Sequence, residues 1–243
     1  MANPEDKVVV GYCSPGTVDT AFHESLLNLI AADAVTTHRI IGGGGRISVQ
    51  ASANISGARN DIVRQFLDHS DAEWLWMLDT DMTFPAETLE ALLENADPDR
   101  APIVGALCFG LDDGWLFPTL YDLRPHEESP VVRYREWPPN AMFQVAATGA
   151  ACMLIHRTVL AKIRDQAGAE FSVAFPWYQE REHGVMKVGE DVTFCLRAGL
   201  CGFPVYVNTG VAIGHIKSHT LTVDGYLAQQ AFKAGIAESE EQS

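Results

Sequence analysis

The sequence predicts a single α/β domain built on a mostly parallel, doubly wound sheet, and three observations carry that expectation. Short apolar runs rich in β-branched residues alternate with amphipathic stretches through the first half of the chain, the pattern of strands buried on both faces and of the helices that cover them. A length of 243 residues suits one large domain with a small appendage. A composition of 47% hydrophobic and 20% charged residues, with a mean hydropathy near zero, can fill such a core and excludes wholesale disorder.

Lys7-Val8-Val9-Val10-Gly11-Tyr12 reads as a buried strand that stops at the turn Cys13-Ser14-Pro15-Gly16. Phe22, Leu26, Leu27, Leu29 and Ile30 form a helical stripe over 21–32. His38-Arg39-Ile40-Ile41 reads as a second strand running into the glycines 42–45, which fit neither dinucleotide-binding nor P-loop spacing and so predict a flexible turn. Ser56 is placed to cap a helix whose apolar face is Ala58, Ile62, Val63, Phe66 and Leu67. Residues 74–78 make a third buried strand, ending in Asp79-Thr80-Asp81. Pro85 suits the first turn of a helix that buries Leu89, Leu92 and Leu93, and 103–107 make a fourth strand.

From 110 to 139 the periodicity fades, which predicts an irregular β insertion with short strands near 119–123 and 131–134. Order returns with strands at 143–147 and 150–155 around Thr148-Gly149, a helix over 158–163, an aromatic loop at 175–178 and a helix over 190–198. Short strands at 205–207 and 211–213 follow, then a terminal helix over 223–236 and an acidic tail.

The chain carries 17 basic and 32 acidic side chains, a net charge of −15. A field of that sign repels nucleic-acid backbones and anionic lipid, and a phosphorylated ligand would need a bridging cation. Five scattered cysteines without a C-x-x-C pair exclude a zinc ribbon or a redox motif. With no basic and apolar leader in 1–7 and no apolar run of membrane-spanning length, the expected setting is a reducing cytoplasm.

Several residues stand where chemistry is done. Ligands on doubly wound sheets bind beyond the carboxyl ends of the strands, where Ser14-Pro15 and Asp79-Thr80-Asp81 lie. Two carboxylates two residues apart are hard oxygen ligands suited to Mg²⁺ or Mn²⁺, although an Asx-type turn explains the same triplet. Glu190-Asp191 opens a helix, where acidic residues either complement the helix dipole or offer a general base. His215 follows a buried strand and could ligate a divalent metal as neutral imidazole, with His219 as fallback. Gly214 and the preceding strand argue against a zinc-binding helix turn there.

The order Ser14-Pro15, Ala58-Arg59-Asn60, Asp79-Thr80-Asp81, Thr148-Gly149-Ala150, Gly189-Glu190-Asp191 and Gly214-His215 resembles the GT-A fold nucleotide-sugar glycosyltransferases over roughly 7–216. The resemblance implies one GT-A-like (Rossmann-like) domain over 1–216, with 110–139 as its insertion and 217–243 as a C-terminal segment carrying a lid helix and an acidic tail. It implies a hexosyltransferase-type enzyme that moves a sugar from a nucleotide-diphosphate sugar, a UDP-sugar foremost, to an acceptor hydroxyl. It implies that Asp79, Asp81 and His215 hold Mn²⁺ or Mg²⁺, that Ser14, Pro15, Arg59, Asn60, Asp79, Thr148 and Gly149 line the donor site, and that Asp191 with Glu190 faces the acceptor. The likeness to compact, phage-like transferases leaves protein, small-molecule, glycan and hydroxylated-base acceptors open. A sugar nucleotidyltransferase and a non-catalytic nucleotide-sugar-binding module are the competing classes. The first needs a glycine-rich loop with a basic residue directly after the first strand, and Gly42–Arg46 lies after the second expected strand instead.

Overall fold

A computed structural model describes residues 2–3, 5–51, 54–112, 114–124, 130–183, 186–218, 220–230 and 232. Strand β1 (Val8–Ser14) leads to helix α1 (Thr20–Val35), whose N-terminus is capped by the Asp19 carboxylate accepting from the Ala21 N–H at 2.8 Å. Then come β2 (Gly45–Gln50), α2 (Ile55–His69), β3 (Trp74–Asp79), β4 (Met82–Thr83), α3 (Thr88–Leu93) and β5 (Ile103–Leu107). The next stretch is built of β6 (Phe109–Asp112), β7 (Trp115–Pro118), β8 (Leu120–Leu123), β9 (Val131–Arg133), β10 (Met142–Val145) and β11 (Ala147–Thr148). The chain continues with β12 (Cys152–His156), α4 (Arg157–Asp165), β13 (Arg181–His183), β14 (Met186–Val188), α5 (Glu190–Leu200), β15 (Val205–Ala212) and β16 (Gly214–His215).

Seven strands form the central sheet in the order β10-β15-β5-β12-β3-β1-β2. The pairs β1–β2, β1–β3 and β5–β15 are parallel, while β12 runs antiparallel between β3 and β5 and β10 runs antiparallel at one edge. Strand alternation splits the core into two layers. Leu75 and Met77 of β3 pack with Ile62, Val63 and Phe66 of α2, Val159 and Ile163 of α4 and Phe194 of α5. Trp74, Trp76 and Leu78 of the same strand pack with Phe22, Leu26 and Leu29 of α1 and Leu89 and Leu92 of α3. The antiparallel strands leave the parallel carboxyl ends of β1, β3 and β5 on one side, and the site assembles there.

Four local expectations are corrected. The second strand is not at 38–41 but at Gly45–Gln50. The Asp33 carboxylate accepts from the backbone N–H groups of Arg39, Ile40 and Ile41 at 2.7, 3.1 and 2.9 Å, which winds 40–44 into a helical turn. Gly42–Gly44 therefore precede the strand and Gly45 opens it. A Cβ on Gly44 would stand 1.9 Å from the Val8 carbonyl oxygen, so only glycine lets this turn cross β1. The cap of α2 is Asn54, whose side chain accepts from Gly57 N–H at 2.8 Å, and Ser56 lies inside the helix. Val205–Ala212 is one continuous strand with a register shift between Asn208 and Ala212, not two. The hairpins β6–β7 and β13–β14 were not legible as regular strands.

In the C-terminal segment, residues 223–230 are helical, whereas the acidic tail and His219 lie outside the described residues. Among the described residues no helix is long and apolar enough to cross a membrane.

Candidate active site

Arg59 sits at the centre of the site. It is the fifth residue of α2 and is 4% exposed. One terminal nitrogen donates to Asp79 Oδ1 at 2.6 Å and the other to Glu190 Oε1. The guanidinium thus joins the end of β3 to the first residue of α5, elements far apart in sequence. Burial alone would lower its pKa, but the two carboxylates outweigh burial and raise it. Its plane lies 5.8 Å over the Tyr178 ring, which stacks on Phe194 at 4.8 Å between centroids. Asn60, beside it, is fully buried. Its amide donates to the carbonyls of Ser56 at 2.6 Å and Tyr178 at 2.7 Å, and its oxygen accepts from Trp177 N–H at 3.1 Å. Asn60 therefore holds the aromatic loop under Arg59.

Asp79 and Asp81 face different partners. Asp79 is turned to Arg59. Asp81 Oδ2 lies 3.1 Å from His215 Nε2 and 2.9 Å from Lys217 Nζ. The pairing of β4 with β16, Met82 opposite His215, sets this contact. His215 Nδ1 lies 2.8 Å from the Phe109 carbonyl, which can only accept, so Nδ1 carries a proton. With Nδ1 protonated, an Nε2–H that donates to Asp81 makes the ring an imidazolium; release of that Nε2 proton would free the lone pair for a cation, with Nδ1 still held by the carbonyl as in metal-ligating histidines. Burial raises the Asp81 pKa, but the hydrogen bonds from His215 and Lys217 outweigh it and hold the carboxyl at about 2. The bond to Asp81 raises the His215 pKa more than burial lowers it.

The donors fit a hard divalent cation. A carboxylate oxygen and an imidazole nitrogen 3.1 Å apart match two ligands at metal distances of about 2 Å. Among the described residues no three His, Cys, Asp or Glu side chains are grouped to hold a metal ion, so the protein would offer this pair alone. Lys217 was not singled out from the sequence. Its ammonium competes for the same carboxylate oxygen, and the pair is about 40% exposed on each side, which limits its worth. Lys217→Met is expected to tighten Mn²⁺ binding in the absence of nucleotide by up to about fivefold, read by the EPR signal of free Mn²⁺. An unchanged affinity would make Lys217 a bystander.

The second carboxylate motif opens α5. Asp191 Oδ1 accepts from Val192 N–H at 2.7 Å, and a Cβ on Gly189 would come within 2.8 Å of the same oxygen. Glycine at 189 therefore lets the carboxylate fold over the helix start. Burial raises the Asp191 pKa, and the neighbouring Glu190 charge raises it further. Asp191 Oδ2 borders Gly149, 3.6 Å from where its Cβ would be, and Thr119 borders the same position. Thr148 is buried, with its hydroxyl donating to the Thr119 carbonyl at 2.8 Å, so Thr148-Gly149 is clamped against the insertion. The Ser14 hydroxyl closes its own turn, donating to the Thr17 carbonyl at 2.8 Å, and Pro15 is exposed at the rim. The Thr80 hydroxyl donates to the Cys13 carbonyl at 3.4 Å, which brings the loop after β1 against the D-x-D loop.

No protein-family model and no curated protein matches the chain. Solved structures do. A197 from STIV aligns at 15% identity with a TM-score of 0.53, over 87% of this chain and 86% of that one. GalNAc-T7, whose structure holds UDP, GalNAc and Mn²⁺, aligns at 11% identity with a TM-score of 0.56, over 87% of this chain but only 44% of that one. Likenesses at such identity speak to architecture, and the architecture they share with this mixed sheet flanked by helices is GT-A-like.

Proposed function

We propose that the protein is a metal-dependent glycosyltransferase of the hexosyltransferase type, taking its sugar from a nucleotide-diphosphate donor, a UDP-sugar foremost. The observation that carries this reading is the pair Asp81–His215 set beside the Arg59-linked carboxylates Asp79 and Glu190, with Asp191 next to Gly149, all at the carboxyl end of the parallel strands. GalNAc-T7, bound to UDP, GalNAc and Mn²⁺, supports the donor class and the metal. Asp81 and His215 would hold Mn²⁺ or Mg²⁺, with Asp79 oriented by Arg59 toward metal or ribose. The cation would supply Lewis-acid neutralisation of the departing diphosphate, which answers how a chain at −15 takes an anionic donor. Ser14, Pro15, Arg59, Thr148 and Gly149 border the donor, and Asn60 keeps Arg59 and Tyr178 in place.

In an inverting transfer the acceptor oxygen bonds to the anomeric carbon as the bond from that carbon to the diphosphate oxygen breaks. The acceptor proton passes to Asp191, and the nucleoside diphosphate leaves. The glycine turn lies after α1 rather than directly after β1, where a nucleotidyltransferase needs its phosphate loop. A reducing, cytoplasmic setting would suit the free cysteines.

Asp81→Asn tests the reading. The substitution keeps the side-chain shape and lies on a short loop, so the fold is expected to hold. Calorimetry should show Mn²⁺ affinity falling by at least about tenfold, and with it the Mn²⁺-dependent binding of UDP. Unchanged metal affinity in this variant rejects the metal assignment.

A further inference from the structure

The small sheet inside the insertion carries a surface that the donor reading does not use. Strands β11, β8 and β9 pair in that order, with Ala147 opposite Tyr121 and Tyr121 opposite Arg133. Residues directly opposite one another share a face, so Tyr121 and Arg133 stand side by side. The same sheet is stitched to the site. Thr119, just before β8, borders Gly149 at the position that Asp191 Oδ2 also borders, and Thr148 of β11 is bonded to the Thr119 carbonyl. Tyr121 is close enough to Asp191 for that charge, adding to burial, to push its phenol pKa up, with Arg133 pulling the other way.

The chemistry of this face is specific. The Arg133 guanidinium carbon lies over the Phe117 ring, 3.6 Å from its centroid, a contact that restrains the donor fork. Its carboxylate partner is Asp112, at 3.4 and 3.5 Å, and both side chains are about half exposed. So long and exposed a pair is worth little and yields readily to a better anion. A planar guanidinium held by an aromatic ring matches a carboxylate through two parallel hydrogen bonds. Beside it, Tyr121 is partly buried, packed against the core yet level with Arg133 on the same face of the sheet.

We propose that Tyr121 and Arg133 form the acceptor platform and that the platform takes a hydroxylated acceptor bearing a carboxylate, a uronic acid being the simplest case. This rests on the reading of Asp191 as the group facing the acceptor. It gives the insertion a role: the anionic group docks on Arg133 and leaves the acceptor hydroxyl toward Asp191 at Gly149.

The test uses two probes that differ in that group alone, 4-nitrophenyl glucuronide and 4-nitrophenyl glucoside. Each is titrated by saturation-transfer NMR into the full chain, with and without UDP and Mn²⁺. The glucuronide should bind about five- to tenfold tighter. Arg133→Gln should abolish the preference and leave glucoside binding unchanged. Arg133→Lys, which keeps charge but loses the fork, should retain only part of it, and Tyr121→Ala should weaken both probes. Arg133 is an exposed residue on a short strand, so circular dichroism should report an unchanged fold in both Arg133 variants. Equal affinity for the two probes, binding of neither, or a preference that survives Arg133→Gln overturns the platform. Thermal stabilisation by UDP with Mn²⁺ is read in parallel. Its absence would count against the donor reading, while its presence without an acid preference would count against the platform alone.

Discussion

Asp191→Asn is expected to lower turnover by about two to four orders of magnitude and to leave donor affinity unchanged, the usual weight of a general base in an inverting transfer. Glu190 and Asp191 are adjacent at the start of α5, but their surroundings divide the labour. The Glu190 carboxylate is taken by Arg59, whereas Asp191 keeps Oδ2 toward Gly149 while Oδ1 accepts from the Val192 N–H. Asparagine can still accept that N–H bond, so the helix start should survive and the loss would report chemistry rather than folding. The same environment predicts a pH signature. A base must be unprotonated to act, so activity is present above its pKa and is lost as pH falls through it. Burial first, and the Glu190 charge second, raise the Asp191 pKa, so the acid limb of kcat/KM should sit above the ordinary carboxylate range. That limb should vanish in Asp191→Asn. Near-normal turnover in the variant, or NMR showing that the product keeps the donor's anomeric configuration, would end the assignment.

The strands buried on both faces were legible because nothing but a sheet core accommodates runs such as 74–78, fully apolar and flanked by carboxylates. Strand direction was not. The run at Cys152–His156 has the same composition whether it pairs parallel or antiparallel, and its insertion between β3 and β5 follows from long-range pairing alone. The error at 38–41 has a similar origin. The three N–H groups there are captured by Asp33, six to eight residues upstream, and hydrophobic periodicity has no term for a carboxylate at that distance. In the site, Asp81, Asp191 and His215 stood out by their places at a strand end, a helix start and the end of a buried strand, and Arg59 entered through the resemblance to GT-A glycosyltransferases. Lys217, Tyr121 and Arg133 did not, since an exposed cation or a tyrosine in an irregular segment looks the same whether it solubilises or recognises. The link from Arg59 to both carboxylates spans 20 residues to Asp79 and 131 to Glu190, so only the fold displays it.

Arg59→Met is expected to destabilise the protein by about 3 kcal/mol at neutral pH and to impair donor binding and turnover together. Methionine fills much of the arginine stem's volume, so the effect should come from charge rather than from a cavity. The guanidinium is nearly fully buried, and its partners Asp79 and Glu190 are 27% and 14% exposed at their side chains. Removing it leaves two carboxylates close together with little water to solvate them, and an uncompensated buried charge costs far more than the intact pair contributes. The triple variant Arg59→Met/Asp79→Asn/Glu190→Gln removes the stranded charges as well, so urea unfolding should show most of the lost stability returning. Activity should not return with it, because the loop after β3 and the start of α5 would no longer be tied to one planar fork. Arg59→Lys separates charge from geometry. A single ammonium restores a positive charge but cannot span Asp79 and Glu190 as the guanidinium does, so it should recover part of the stability and little of the turnover. Full activity in the lysine variant would show that charge alone suffices. An Arg59→Met protein within about 0.5 kcal/mol of wild type would show that water reaches these carboxylates and that the buried ionic link is not what joins the two halves of the site.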